Sequence, residues 1–356
     1  MNKRRLRKAV KRISNLPFDR NLFLYFGNKI RYFNYKAVNS TRVAWPSNIM
    51  LELSGCCNLS CTTCPREYDY GKAMDKGFMD QNLAKKIIDE SWPYLDSIGL
   101  TGMGETLLYR DLPGIIDYIK AKNRGIIISI STNAQVSGFR EQINGLVNKV
   151  DTIQISADGL GAIYELIRKK ASFRVFDENI KYAATLCRGS ATDIMLNMVV
   201  TKENYMQMPL IVKYASESGI QFLDFTQLNL AALTGIDRSY YEFYGSDEFQ
   251  GVFSTARETA ESLGNVIITA HSFEKRTDEK GFRNCAFPWS HFYITWDGYL
   301  VPCCAKPFPK EMNFGNIVHS GLLELLNNDS YRSFRKLWFE NKTPEFCTNC
   351  HYNSIK

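Results

Sequence analysis

The sequence has no run of about 18 or more apolar residues, the length a membrane-spanning helix needs. Its first residues lack the apolar stretch of a secretory signal. Both absences point to a cytoplasmic chain, where thiols stay reduced. No internal repeat and no low-complexity segment occurs, which excludes repeat arrays and flexible tethers. No aromatic platform or nucleic-acid motif accompanies the basic residues, so a nucleic-acid partner is not expected. Acid is missing from one place: "MNKRRLRKAVKR" holds seven Lys or Arg, no Asp or Glu, and much of the formal charge of +7. Such an arm suits an anionic partner, a nucleic acid or a lipid surface. A solvated helical lead-in explains it as simply.

What is present is globular. The 356 residues are 45% hydrophobic and 23% charged, enough for one large α/β unit and a smaller appendage. Short β-branched runs appear at 48–54, 97–102, 126–132, 151–157, 193–200 and 221–227. Amphipathic helix-length stretches separate them, such as "DQNLAKKIIDESW" and "RVFDENIKYAATLC". This alternation predicts βαβ units and a parallel sheet. Six strands in succession suggest a partial (β/α)6 TIM-like barrel, although periodicity alone leaves a doubly wound sheet open. In either case the chemistry belongs at the C-terminal ends of the strands. The expected divisions are a basic arm (1–45), the barrel (46–230), a helical connector (231–284) and a small C-terminal domain (285–356). That last domain opens on "HFYITWDGYLVPC", a hairpin pattern with Asp-Gly at its turn, followed by two short helices.

The ten cysteines of a reduced compartment are metal ligands or redox groups before they are disulfides. Four fall in "CCNLSCTTCPR", on the loop after the first strand. Cys57, Cys61 and Cys64 are spaced CxxxCxxC. Three thiolates on one loop can hold three irons of a cubane and leave the fourth open. Zinc is the metal alternative, but a structural zinc wants four closed ligands. Incidental packing would explain one such cysteine, but not three at ligand spacing on one loop.

In this position the spacing resembles the radical S-adenosylmethionine (radical SAM) superfamily. The resemblance implies a [4Fe–4S] cluster on Cys57, Cys61 and Cys64, with S-adenosyl-L-methionine chelating the open iron. Reductive cleavage of that cofactor yields a 5′-deoxyadenosyl radical, which abstracts hydrogen from a substrate. "GMGE" after the second strand resembles the family's GGE motif, so Gly102, Gly104 and Glu105 are expected at the cofactor, with Met103 departing from the pattern. By the same analogy Asn133, Ser156, Asp158, Asn197 and Gln227 face the cofactor, and Arg168 pairs with its carboxylate. The aromatic residue usual before the third cysteine is Thr63 here. Cys56 has no family role and reads as packing.

A second set follows: Cys285, then Gly298 after twelve residues, Cys303 after four more, and Cys347-x2-Cys350. It resembles a shortened SPASM or twitch-type domain. Its four remaining cysteines, Cys285, Cys303, Cys347 and Cys350, fit one fully ligated auxiliary [4Fe–4S] cluster; structural zinc is the alternative. Cys304 and His351 are possible substitutes. His291 and His319 read as core or cap, and Cys187 as a buried helix end.

A closed auxiliary cluster suits electron acceptance. The resemblance therefore implies a radical SAM oxidoreductase that dehydrogenates a small-molecule alcohol such as a sugar or aminocyclitol, with a flavodoxin or ferredoxin as reductant. Radical modification of a peptide or protein is the alternative, and a non-enzymatic zinc scaffold is the reading from another class.

Overall fold

The computed structural model describes residues 10–12, 14–15, 19–233, 235–270, 273, 285–348 and 350. Most of the basic stretch at 1–12, the charged segment 274–284 and His351 lie outside them.

In chain order the elements are α1 (Arg20–Ala37), β1 (Asn48–Leu51), α2 (Gln81–Ser91), β2 (Ser97–Leu100), α3 (Leu112–Lys122) and β3 (Ile127–Thr132). There follow α4 (Phe139–Leu146), β4 (Thr152–Ser156), α5 (Gly161–Ile167), α6 (Phe173–Cys187), β5 (Asp193–Val200), α7 (Met208–Glu217) and β6 (Phe222–Gln227). The chain continues with α8 (Asp247–Leu263), β7 (Ile267–Thr269), β8 (His291–Ile294), β9 (Leu300–Val301), α9 (Leu322–Asn327) and α10 (Asp329–Phe339). The fold is α/β with largely parallel strands, and all six expected strands form.

The chain divides into two compact units. The first comprises Met1–Cys56, Met74–Ser129 and Asp278–Phe346. Its strands run in the order β2-β1-β8-β9. β1 is parallel to both neighbours, pairing Asn48 with Ser97 on one side and His291 on the other. β8 and β9 form the antiparallel hairpin, pairing Tyr293 with Val301. Gly298, with φ +89, takes the left-handed turn position that a side chain would strain. α2 starts where the Asp80 side chain accepts from the Asn82 and Leu83 amides. It buries Ala84, Ile87 and Ile88, as α3 buries Ile115, Ile116 and Ile119. Each such isoleucine contributes about 2 kcal/mol of hydrophobic burial.

The second unit comprises Cys57–Ala73, Ile130–Thr277 and Cys347–Lys356. Its strands β7-β6-β5-β4 are all parallel. Alternation divides their side chains between two faces. One face carries Ile194, Leu196, Met198, Leu223 and Phe225, which are buried with α6 and α8. The other carries Ser156, Asn197, Asp224 and Thr269, one residue per strand in register.

Candidate active site

In the second unit the loop after β1 is fastened to the turn that follows α5. The Thr62 amide donates to the Ile167 carbonyl at 2.8 Å, the Ser60 amide to Lys169 at 3.3 Å, and the Tyr68 hydroxyl to the Thr62 carbonyl at 2.8 Å. The loop continues into a turn of 3-10 helix, Pro65–Glu67, whose Glu67 amide donates to Cys64. These bonds set the path of Cys57, Cys61 and Cys64. The Leu59 amide donates to Cys57 Sγ at 3.5 Å, and Asn133 Nδ2 reaches the same sulfur at 3.8 Å and Asn58 Oδ1 at 2.8 Å. Asn58, not singled out in the sequence, in turn donates to the Gln135 carbonyl. Its signal is a polar side chain directly after a ligand-spaced cysteine.

Burial raises the Cys61 thiol to about 12, with Arg168 opposing and Asp158, Cys64 and Cys57 adding to the rise. Cys64 is raised by burial as well, against the Arg66 amide and charge. The three thiols lie within one another's field. Thiolates there call for a cationic group among them.

Arg168 is buried and gives Nη1 to Asp158 Oδ2 at 2.6 Å. Burial works against its charge, but Asp158 and Cys61 outweigh that and raise it overall. The other Asp158 oxygen accepts from the Val199 amide at 2.8 Å. Asp158 thus holds Arg168 and the end of β5. The Arg168 Nε is buried with no hydrogen-bond partner among the described residues, the donor that a carboxylate ligand would satisfy.

The same unit carries the polar row of β4 to β7. Asn197 Nδ2 reaches Asp224 Oδ2 at 3.4 Å, and Thr269 Oγ1 donates to Asp224 Oδ1 at 2.7 Å. Ser156 pairs with Asn197 in register. Gln227 pairs with Val200 and so falls on the opposite face from Asn197 and Asp224. Asp224 was missed in the sequence. Its signal was a carboxylate inside the apolar strand "QFLDFTQ".

In the first unit Glu105 is buried, its amide donating to the Cys56 carbonyl at 2.7 Å and its Oε1 accepting from Leu107 at 3.1 Å. A Cβ on Gly104 would meet Ser54 O at 2.2 Å and Cys56 O at 2.5 Å; one on Gly102 would meet Glu52 Cγ at 2.3 Å. The glycines of "GMGE" therefore admit the chain leading into the cysteine loop. Cys56 serves through its backbone. Glu52, also missed, is wholly buried, its carboxylate accepting from the Met103 amide at 2.7 Å and Trp296 at 3.2 Å.

Cys285, Cys303 and Cys304 also gather in this unit. Burial raises Cys303, with the Lys306 and Ala305 amides opposing; it raises Cys304 to about 12, with Cys303 and Cys285 adding. Cys347 ends the 3-10 turn Glu345–Cys347, and the Cys350 amide donates to its carbonyl at 3.3 Å; both cysteines belong to the last segment of the second unit. Among the described residues no three His, Cys, Asp or Glu side chains converge as one metal ion requires. A cubane binds each thiolate to a different iron, so its ligands need no common point.

Residues 51–215 match the model of the radical SAM superfamily, and residues 285–351 match SPASM, an iron–sulfur cluster-binding domain. The chain belongs to the radical SAM superfamily. As a radical SAM enzyme it takes a [4Fe–4S] cluster, S-adenosyl-L-methionine and an auxiliary iron–sulfur cluster. It is similar to the tungsten-containing aldehyde ferredoxin oxidoreductase cofactor-modifying protein of Pyrococcus furiosus, 27% identical over 85% of this chain and 86% of that one. It is also 27% identical to the mycofactocin maturase MftC of Mycolicibacterium smegmatis, over 64% of this chain and 55% of that one. The fold matches Streptococcus suis SuiB bound to its precursor peptide SuiA, with TM-score 0.66, 17% identity, and coverage of 92% and 74%. It matches anSMEcpe with bound AdoMet and a peptide at TM-score 0.62, 20% identity, and coverage of 86% and 87%. The partial TIM-like barrel with a C-terminal domain is thus the radical SAM fold. Among the described residues no helix is long and apolar enough to cross a membrane.

Proposed function

We propose that this radical SAM enzyme dehydrogenates a hydroxylated small molecule, and the single observation that carries this is Asp224. In this reading Cys57, Cys61 and Cys64 hold the radical SAM cluster, and Cys285, Cys303, Cys347 and Cys350 the auxiliary one. Gly102, Gly104, Glu105, Asn133 and Arg168 serve S-adenosyl-L-methionine, with Ser156, Asp158 and Asn197 supporting the pocket; Gln227, on the other face of the sheet, takes no part. When bound, these groups supply a 5′-deoxyadenosyl radical that takes one hydrogen atom and an acceptor for one electron. The chain supplies the rest. Ser156, Asn197 and Thr269 offer hydrogen-bonding partners for hydroxyls, and Asp224, fixed between Asn197 and Thr269, accepts the hydroxyl proton as the C–OH becomes C=O. A flavodoxin or ferredoxin provides the reducing electron, and the setting is the cytoplasm.

A second reading, modification of a peptide or of a cofactor precursor, is favoured by the relatives: SuiB was solved with a precursor peptide, and the Pyrococcus protein is a cofactor-modifying protein. The test is an anaerobic assay of reconstituted enzyme with polyols and aminocyclitols, following 5′-deoxyadenosine and loss of two hydrogens from the substrate by mass spectrometry. Asp224→Asn is expected to keep 5′-deoxyadenosine formation and lower ketone formation by about 100-fold or more. Ketone formation unchanged in Asp224→Asn, or turnover seen only with peptides, would overturn the first reading.

A further inference from the structure

Helix α1 is mounted with its apolar face outward. A surface helix ordinarily turns its apolar stripe to the core and its charges to water. Here the inward face is polar. Asn28 is buried and exchanges two hydrogen bonds with Trp45, Nδ2 to the carbonyl and the amide to Oδ1, both at 2.9 Å. The Tyr25 hydroxyl donates to Asp96 Oδ1 at 2.7 Å, Lys29 Nζ donates to Ser47 Oγ at 2.7 Å and pairs with Asp96, and Arg12 Nε reaches Asp96 at 3.2 Å. Tyr32 and Tyr35 line a small cavity with Trp289 and Phe339. The outward face carries Phe23, Phe26, Ile30 and Phe33, with exposures of 80%, 51%, 62% and 63%. Their spacing of three and four residues makes them one stripe along three turns of helix. Isolated exposed hydrophobics need no explanation; a contiguous row of three phenylalanines and an isoleucine does.

The charge around that stripe has one sign. α1 contains Arg20, Lys29, Arg31 and Lys36 and no acidic residue. The first 38 residues of the sequence hold eleven of its 44 Lys and Arg but one of its 37 Asp and Glu. The remainder, with 33 basic and 36 acidic residues, is net acidic. The positive charge of the whole protein is thus concentrated in the part of the sequence that holds this helix, and Arg20, Arg31 and Lys36 lie on the helix itself. A helix lying in the headgroup layer has this composition: phenylalanine and isoleucine on one side, Lys and Arg flanking them, and no carboxylate to be repelled. A nucleic acid would use the charge but leave the phenylalanines in water, and an acidic protein would do the same unless it brought its own apolar patch.

We propose that α1 docks this enzyme on a bilayer surface that contains anionic lipid. Phe23, Phe26, Ile30 and Phe33 enter the acyl boundary, and Arg20, Arg31 and Lys36 of the same helix meet the headgroups. The mode is peripheral and reversible.

Flotation of the full-length reconstituted enzyme with vesicles tests this. One set is phosphatidylcholine alone and the other contains phosphatidylglycerol. The enzyme is expected to float with the second set and stay behind with the first. Phe23→Ser/Phe26→Ser/Ile30→Ser/Phe33→Ser is expected to lower flotation at least tenfold. These side chains are exposed, so the variant keeps its thermal transition and its S-adenosyl-L-methionine cleavage. An Arg20→Gln/Arg31→Gln/Lys36→Gln variant removes charge alone and is expected to shift the dependence on phosphatidylglycerol content. No flotation with either set overturns the proposal. Flotation that the apolar variant leaves unchanged and raised salt abolishes also overturns it, and reassigns the helix to a polyanion such as nucleic acid.

Discussion

Glu52 shows at the residue scale how a side chain outside the ligand set governs the site. It is wholly buried just after β1, on the way into the cysteine loop, and its two oxygens hold the Met103 amide and the Trp296 amide. Burial raises its carboxyl from an ordinary 4.5 to about 7, while those two amides pull the other way. Between these values the folded chain keeps a proton that the unfolded chain has lost, so this residue's effect is to lower stability as pH rises through the window, with no further change above it. Glu52→Gln cannot ionise. Its stability relative to wild type is expected to improve by up to about 3 kcal/mol from the lower to the upper end of the window. Denaturant melts of both proteins at the two ends measure it, and a constant difference would refute it. Neither Glu52 nor Asp224 was legible as a site residue beforehand. A lone acid in an apolar strand has the same appearance whether it points to solvent, to a backbone amide or to a substrate. The cysteine spacing was legible because only ligand chemistry explains three thiols on one loop. Arg168 and Asp158 were each found, but their mutual ion pair depends on α5 folding back over β4.

Among elements, hydrophobic alternation located all six core strands to within three residues at each end, and the Asp-Gly turn located β8 and β9. The partner of β8 was not legible. β8 adds in parallel to β1, some 240 positions earlier in the chain, and local pattern carries no signal for pairing at that separation. The fastening of α10 is equally non-local. Arg335 on this helix is fully buried, with Nε donating to Pro288 O at 2.7 Å and Nη1 to Thr41 O at 3.0 Å and Leu326 O at 2.8 Å. Its guanidinium lies 3.7 Å from the centre of the Tyr331 ring. Burial lowers it to about 10, with Tyr331 opposing. One side chain therefore satisfies three carbonyls from three segments. Arg335→Met keeps the volume and loses every donor, at an expected cost on the order of 3 kcal/mol. A lowered thermal midpoint with loss of iron from the C-terminal cysteines checks it; an unchanged midpoint would show the carbonyls to be hydrated instead.

For the whole molecule the decisive quantity is how many clusters one chain carries, because that separates an electron-accepting enzyme from one with a single radical site. Seven cysteines are proposed as ligands, three on the loop after β1 and four in the C-terminal segment. Two cubanes require about eight irons per chain. Replacing Cys57, Cys61 and Cys64 with alanine is expected to leave about four irons and no 5′-deoxyadenosine. Replacing Cys285, Cys303, Cys347 and Cys350 is expected to leave about four irons, retain 5′-deoxyadenosine and abolish the oxidised product. The two losses are then additive in iron and distinct in chemistry, because the loop after β1 and the C-terminal segment supply separate sets of thiolates. If the fourfold variant keeps about eight irons, the auxiliary ligands are other groups, and Cys304, beside Cys303 and Cys285, is the first to replace. If it loses 5′-deoxyadenosine together with its auxiliary iron, the C-terminal cluster is needed to form the radical itself, and its assignment as the acceptor of the substrate's electron falls.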